Sequence, residues 1–575
     1  MVAANDWKYS GYTDVTETFT PPSQRAEWST LRTHAARLAR TPLAHLPSIE
    51  PGRSQQLCFT LQTGDASHAE HAGDCTLALD LSRQHMDSAA LHALIALAQA
   101  CGVPEGLRSL FDGERVNFTE GRAALHMALR NGTPPPADER EHLSATWARC
   151  QAFAQRIRAG QHPGSREKPI DRVINLGIGG SDLGPRLVSE ALLNQGPEPA
   201  FDVRFVANID PRDLDQHLLD ADPATTLFIV SSKSFSTAET LANARAARQW
   251  LQAGLGDACD LGAHFAAVSN ATAAAAAFGI AGEHIFALPE WVGGRYSLWS
   301  TIGLPALIAI GPQAFDDLLA GARTMDQHLQ HTPLARNLPV LAALAGLWNT
   351  DFLDIENLAV LPYAHGLRSL PAWLQQLEME SNGKHCLRDG SRTAVPTAPI
   401  VWGGAEPVGQ HAFHQLFFQG TRRCALDFIV PVGHEGDPRQ NVLINNALAQ
   451  SAALMHGRSL DEARILLARQ GLDGQDIERL APHLVCDGNQ PSSLLLMDSL
   501  SPRSLGQLLA FYEHKVFVQG WVWGINSFDQ FGVELGKDMA RALERGETAR
   551  HDESTLAQLA WVARLREQQR KRAQP

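Results

Sequence analysis

The stretch that most constrains this chain runs from Val173 to Leu251, where short apolar runs alternate with helix-length segments. Val173–Leu176 has the length of a strand, GIGGSDLGP (Gly177–Pro185) follows as a loop, and Arg186–Leu193 starts a helix. Val203–Ala207 and Leu227–Val230 are the next strands. SSKSFSTAET (Ser231–Thr240) then leads into an Ala/Leu helix ending near Leu251. Strands joined by helical crossovers pair in parallel, with helices on both sheet faces. Ligands of such sheets sit outside the carboxyl ends of the strands. Both special loops fall at that end.

A second series of the same kind follows helices that begin near Thr301: Leu358–Leu361, a helix over Leu370–Lys384, Pro399–Trp402, and Leu426–Val430 ending at Pro431. The expectation is an α/β protein with two doubly wound parallel-sheet subdomains and helical N- and C-terminal extensions. With 575 residues the chain is too long for one core. The Pro-rich connector Pro134–Glu141 marks a first boundary. The expected parts are 1–142, a helical N-terminal portion of the large domain; 143–315, a small α/β subdomain carrying both loops; 316–540, a large α/β subdomain; and 541–575, a helical tail. Trp28–Arg40 and Asp87–Cys101 read as helices, Pro42–Gly73 as irregular, and Thr119 as the cap of a helix ending at Asn131-Gly132. The C-terminal third reads as helical: Asn441–His456, Leu460–Gln470, Leu505–Gly524 and Asp552–Arg570.

Net charge is −13, which argues against a nucleic-acid or membrane-surface partner and leaves room for a local anion site. The eight cysteines show no CxxC pair, so neither a disulfide framework nor a thiolate zinc site is expected. The polar N-terminus lacks a basic region followed by an apolar run, and no uninterrupted apolar stretch approaches membrane-spanning length. A cytoplasmic location is the expectation. Only seven of the 49 Lys and Arg residues are lysines, so a lysine inside a Gly/Ser-rich motif carries weight.

In LPAWLQQLEMESNGK (Leu370–Lys384) the residues Leu370, Trp373, Leu374 and Leu377 form one apolar helix stripe, opened by Pro371 and stopped by Gly383. The stripe continues to Glu380 and Ser381, with Gln376 one turn back from Glu380. A carboxylate there is expected to be partly desolvated and a stronger base. Periodicity alone favours a stripe that ends in a surface glutamate.

Four other motifs could carry chemistry. In GIGGSDLG, glycines before a helix start offer N–H groups to an anion. Asp182 occupies the third-glycine position of a dinucleotide fingerprint and would face a pyrophosphate unfavourably. SSKSFST sets five hydroxyls around Lys233, which suits one phosphate group; a Ser-rich capped turn is the alternative. VGGRYSLWS places Arg295 after two glycines, a permanent charge able to neutralise an oxyanion. GQHAFHQLFFQG reads as a short helix burying Phe413, Leu416 and Phe417. His411 stands at its start, where the dipole favours neutral imidazole. No third ligand accompanies His411 and His414, so no metal is expected. In NSFDQFGVELGK, residues Gln530, Glu534 and Lys537 suit one helix side. Anion site, carboxylate, fixed cation, neutral histidine and second lysine together match proton abstraction next to a carbonyl in a phosphorylated sugar.

VINLGIGGSDLGP, SSKSFSTAET, VGGRYSLWSTIGLP, LQQLEMESNGK, GQHAF and HKVFVQGWVWGINSFDQFGVELGK resemble, in order and spacing, the motifs of the glucose-6-phosphate isomerase (phosphoglucose isomerase) family, from roughly Leu110 to Ala540. The resemblance implies sugar-isomerase-type subdomains, a homodimer with active sites shared between subunits, no cofactor, and interconversion of glucose 6-phosphate and fructose 6-phosphate. It implies that Ser181 with Gly180, Ser232, Lys233, Ser234 and Thr237 holds the phosphate. Glu380 would shuttle the proton between C1 and C2 through a cis-enediolate stabilised by Arg295 and the backbone near Gly294. His411, oriented by Glu239, would open the ring with Lys537, and Gln376 and Gln530 would touch substrate. The chain departs from the family in Glu406-Pro407-Val408, where G-T-N usually precedes the G-Q-H of His411. A non-catalytic sugar-phosphate regulator would need the phosphate loops but not the base, the arginine or the histidine.

Overall fold

A computed structural model describes residues 19–61, 77–193, 199–256, 259–433 and 436–573. Part of the stretch read as irregular, residues 62–73, lies outside them. The chain divides into two compact units, Met1–Ser527 and Phe528–Pro575.

Among the described residues the first unit holds eleven strands in two sheets. In chain order they are β1 (Cys58–Thr60), β2 (Leu77–Asp80), β3 (Arg172–Leu176), β4 (Asp202–Val206), β5 (Thr226–Ser231), β6 (Phe265–Val268), β7 (Ile285–Phe286), β8 (Asn357–Pro362), β9 (Ile400–Gly403), β10 (Ala425–Pro431) and β11 (Ser492–Met497). One sheet has the order β4-β3-β5-β6-β7 and is parallel throughout. The second has the order β1-β2-β11-β10-β8-β9, with β11, β10, β8 and β9 parallel and the β1-β2 hairpin antiparallel at one edge. The expected α/β class with two wound parallel sheets is what the chain adopts.

Strand β5 is buried at every position, as a run covered on both faces must be. Its Phe228 and Val230 pack with Leu176, Phe265 and Leu251 in the first core. Leu361, Phe428, Val430 and Phe417 anchor the second. Helix Pro502–Trp523 is buried on nearly all sides and lies against helix Pro312–His331. The backbones approach closely there: a Cβ on Gly321 would stand 1.9 Å from the Arg503 carbonyl oxygen.

Three expectations are corrected. The N-terminal portion is not only helical, because β1 and β2 extend the second sheet. The C-terminal third contains β11. The residues after Thr119 form no capped α-helix: Asn117 pairs with Arg122 across a tight turn and His126–Arg130 is a 3-10 helix.

Candidate active site

The two expected loops leave the carboxyl ends of β3 and β5 and are tied together by Asn175, fully buried in β3. Its amide nitrogen donates to the Ser181 carbonyl at 3.1 Å, and its oxygen accepts from the Ser231 hydroxyl at 2.7 Å. Ser181, Ser232, Lys233, Ser234 and Thr237 thereby line one open cleft of about 590 Å3, together with Asn270 and Glu290. Thr237 is the N-cap of helix Ala238–Leu255 but makes no side-chain cap. Its hydroxyl meets that of Ser232 at 3.1 Å instead, so the capping explanation of this loop fails. Lys233 Nζ donates to the carbonyls of Glu290 (3.0 Å) and Val292 (3.3 Å) and stands 3.3 Å from the Glu290 carboxylate. Asp182 faces no cleft: it is buried against Arg186 at 2.8 Å, and burial raises its pKa although Arg186 opposes the shift.

Two backbone approaches bring further elements to the Gly-rich loop. A Cβ on Gly180 would stand 2.0 Å from the Gly294 carbonyl oxygen, so only glycine lets the loop before Arg295 close onto it. Gly179, at φ +59°, would place a Cβ 3.0 Å from Nε2 of Gln376. The helix bearing Gln376 follows β8 of the other sheet, so elements of both sheets meet here.

That helix is not α-helical throughout. Leu370–Leu374 is α-helical and Gln375–Glu380 is π-helical. The wider turn shifts the buried stripe by one residue. Leu377, Glu378, Ser381 and Asn382 are buried, whereas Glu380 lies at the stripe's edge with 23 % of its side chain exposed. Periodicity placed Ser381 well and missed Glu378, whose carboxylate meets Lys515 at 3.0 Å and, with the Gln519 amide nitrogen turned toward it, Gln519 at 3.1 Å.

Arg295 is buried and held on several sides. Its Nε donates to the Ser381 hydroxyl at 2.6 Å and its Nη2 to the Ser527 carbonyl at 2.7 Å. Its Nη1 lies 3.4 Å from Glu380. The Tyr296 hydroxyl also meets Ser381, at 3.1 Å, and burial pushes that phenol up to about 12. A guanidinium so fixed is a preorganised cation beside a carboxylate.

His411 is exposed and ends a 3-10 turn, Gly409–His411, ahead of helix His414–Gln419 rather than at that helix's start. Of the three residues read as buried there, Phe417 is buried, Phe413 half-buried and Leu416 exposed. Within this chain the His411 side chain is not brought to Glu239, which is half-buried in the first turn of helix Ala238–Leu255. The unusual Glu406 is a buried carboxylate: it accepts from the Gln410 N–H at 3.0 Å and meets His414 Nε2 at 2.9 Å, so it braces the His411 turn from inside. Gln530 and Lys537 belong to the second unit. There Lys537 pairs with Glu534 at 2.8 Å on helix Glu534–Glu544, which Gln530 precedes. Asn175, Glu290, Glu378 and Glu406 escaped the sequence reading, although the Glu-Pro departure before His411 did flag the last.

The sequence profile of the phosphoglucose isomerase family matches residues 80–559. This chain belongs to the phosphoglucose isomerase family. Glucose-6-phosphate isomerase of Aromatoleum aromaticum is 59% identical over 552 residues, covering 96% of this chain and 99% of that protein. Glucose-6-phosphate isomerase 1 of Chromobacterium violaceum is 42% identical, covering 92% and 96%. The crystal structure of a glucose-6-phosphate isomerase from Chlamydia trachomatis superposes with a TM-score of 0.79 at 30% identity, covering 95% of this chain and 100% of that one. As a phosphoglucose isomerase family member the chain is an isomerase.

Proposed function

We propose that this protein interconverts glucose 6-phosphate and fructose 6-phosphate in glycolysis and gluconeogenesis, with the residues of the described site in the following roles. The 6-phosphate enters the cleft of Ser181, Ser232, Lys233, Ser234 and Thr237, where hydroxyls and one ammonium match its oxygens. Gly180 and Gly294 contribute backbone, and Gln376 and Gln530 contact the sugar. His411, assisted by Lys537, moves the proton that opens the ring, with Glu239 orienting the imidazole. Glu380 then takes the proton from C2 of the aldose and returns it to C1. Negative charge builds on the enediolate oxygens and Arg295 neutralises it. The conversion moves hydrogens within one molecule without net oxidation, so no cofactor is called for.

The observation that carries this reading is Arg295 Nη1 at 3.4 Å from Glu380, where the loops after β3 and the Gln376 helix close together. A regulator that only bound sugar phosphates would need no buried cation beside an accessible carboxylate. Since Glu239 and His411 do not meet within one chain, the reading assigns their encounter to a homodimer in which His411 reaches the partner's site. The parts 1–142, 143–315, 316–540 and 541–575 remain the proposed domain division, and the cytoplasm the proposed location. No single described helix is long and apolar enough to cross a membrane. Purified protein should convert fructose 6-phosphate to glucose 6-phosphate in an assay coupled to a glucose-6-phosphate dehydrogenase. Sugar-phosphate binding without turnover or hydrogen exchange at C2 would instead support the regulator.

A further inference from the structure

The cleft assigned to phosphate contains an anion of its own. Glu290 lines it and sets its carboxylate 3.3 Å from Lys233, the only lysine there. The carboxylate is held in place from two other sides: Asn270 Nδ2 donates to Oε1 at 2.6 Å, and Arg122 lies 3.6 Å from Oε2. Asn270 is itself anchored, its N–H donating to the Lys233 carbonyl at 2.9 Å. Two strand ends, those of β6 and β7, thus bring the pair together, on side chains that stay 34 % (Lys233) and 64 % (Glu290) exposed. These donors and cations also hold the Glu290 pKa below its ordinary value although burial opposes them.

We propose that Glu290 is a competing anion that holds Lys233 in the empty cleft and must yield it to phosphate. This rests on reading the cleft as the phosphate site. Any ligand entering exchanges the Lys233–Glu290 pair for a Lys233–phosphate pair and gains only the difference. Inorganic phosphate can offset that exchange only through the cleft's own hydroxyls, so it binds weakly. A hexose 6-phosphate adds contacts of its sugar and still binds. Glu290 thereby weakens the phosphate end for every ligand alike, so that tight occupancy depends on the contacts of the sugar end.

The geometry fixes an unusual sign. Removing a polar group from a pocket wall ordinarily weakens binding, whereas Glu290→Gln, which keeps the amide-like shape and removes the charge, should tighten it. A dianion within reach of Lys233 lies only a few ångströms from Glu290, and losing that repulsion in a water-rich cleft is worth about fivefold to tenfold in affinity. The test is competitive inhibition of isomerase turnover by inorganic phosphate, with the Michaelis constant for fructose 6-phosphate measured alongside. The expected result is a phosphate inhibition constant about tenfold lower in Glu290→Gln, a Michaelis constant lower by a similar factor, and values near wild type for the charge-keeping Glu290→Asp. In the Lys233→Ala background, Glu290→Gln should tighten phosphate by a smaller factor than in the wild-type background, since only the repulsion is then relieved and no pair is left to break.

A Glu290→Gln inhibition constant equal to or higher than wild type, with Lys233→Ala weakening phosphate strongly, would overturn this inference and leave the phosphate cleft intact. If Lys233→Ala leaves phosphate inhibition unchanged, the cleft assignment fails and this inference with it. Phosphate titration of the purified variants, followed by tryptophan fluorescence, reads the same constants if either variant is too slow to assay.

Discussion

Replacing Glu380 by glutamine separates catalysis from binding at one atom. The amide keeps the shape of the carboxylate but cannot accept the C2 proton. One positioned acid–base group is worth about 10²–10⁴ in rate. Glu380 is proposed both to remove and to return the proton, so the loss should reach the upper end, about 10⁴-fold in kcat or roughly 5.5 kcal/mol of transition-state free energy. Binding should hardly change. Arg295 loses its partner at 3.4 Å but keeps Ser381 at 2.6 Å and the Ser527 carbonyl at 2.7 Å, and the phosphate cleft is untouched. The Michaelis constant should stay within about threefold. Arg295 is buried and loses its ion pair with Glu380, but its hydrogen bonds to Ser381 and Ser527 remain, so the variant should still fold.

The coupled assay reads kcat, and proton exchange at C2 followed by NMR in deuterated buffer reads the abstraction step itself. Glu380→Asp supplies the inner control. It keeps the base but withdraws it by one methylene, a displacement worth about 10²-fold. The order wild type, Asp, Gln is therefore expected in kcat with nearly constant Michaelis constants. A glutamine variant within tenfold of wild-type kcat, or one that loses substrate binding instead of turnover, would refute Glu380 as the base.

Arg295→Lys should lower kcat about 10²–10³-fold with a small change in Michaelis constant, because one ammonium cannot serve Ser381, Ser527 and Glu380 together; steady-state kinetics check this. His162 is buried against Phe153 and His284, and burial holds its pKa down to about 4. The unfolded chain takes up this proton near pH 6.5, so stability is lost as pH falls from about 6.5 toward 4, on the order of 3 kcal/mol from this group. Urea midpoints at pH 7 and pH 4.5 should diverge less in His162→Phe than in wild type. Arg130, fully buried, pairs with Asp326 and Glu513, both at 2.6 Å. Arg130→Met leaves two buried carboxylates uncompensated and should cost about 3–5 kcal/mol. Glu513→Gln should cost clearly less in the same denaturation experiment, because burial already raises that carboxyl to about 7.

The parallel sheets were legible because β3, β5, β8 and β10 are mostly apolar, buried runs of strand length. Strand β11 was not. Its SSLLLM run sits among helices, and its strand character comes from pairing with β10 and with β2, the latter more than 400 residues earlier. Ala-rich β6 (FAAV) went unread: burial between β5 and β7 makes it a strand, not propensity. The stripe suggested a partly desolvated Glu380, and its side chain is 23 % exposed, but the reading missed Glu378, whose partner Lys515 is 137 positions away. Asn175 looked like a polar interruption of β3, yet it stitches the two loops. His411 was legible from its motif, while its bracing by the buried Glu406 needed the fold.

The two ends of the site are built differently, and that difference has consequences. The cation Arg295 is set by a chain of buried groups. Arg130 lies over the Trp299 ring at 4.7 Å, Trp299 donates to Glu513 at 2.7 Å, His126 stacks on Tyr296 at 4.7 Å, and Tyr296 meets Ser381, which accepts from Arg295. Every member is inaccessible to water, so the guanidinium cannot relax when charge develops beside it, as electrostatic preorganisation requires. The phosphate end is made of loop hydroxyls and a half-exposed lysine whose partner, Glu290, must be exchanged at each encounter. On the proposed roles, rigidity sits where the transition state differs from the substrate, and exchangeable contacts sit where the two are alike. Interactions made equally to substrate and transition state alter the Michaelis constant, whereas those specific to the transition state alter kcat. It follows that substitutions along the buried chain from Glu513 to Ser381 should act on kcat even though none of those residues touches substrate, and that substitutions around Lys233 should act on the Michaelis constant.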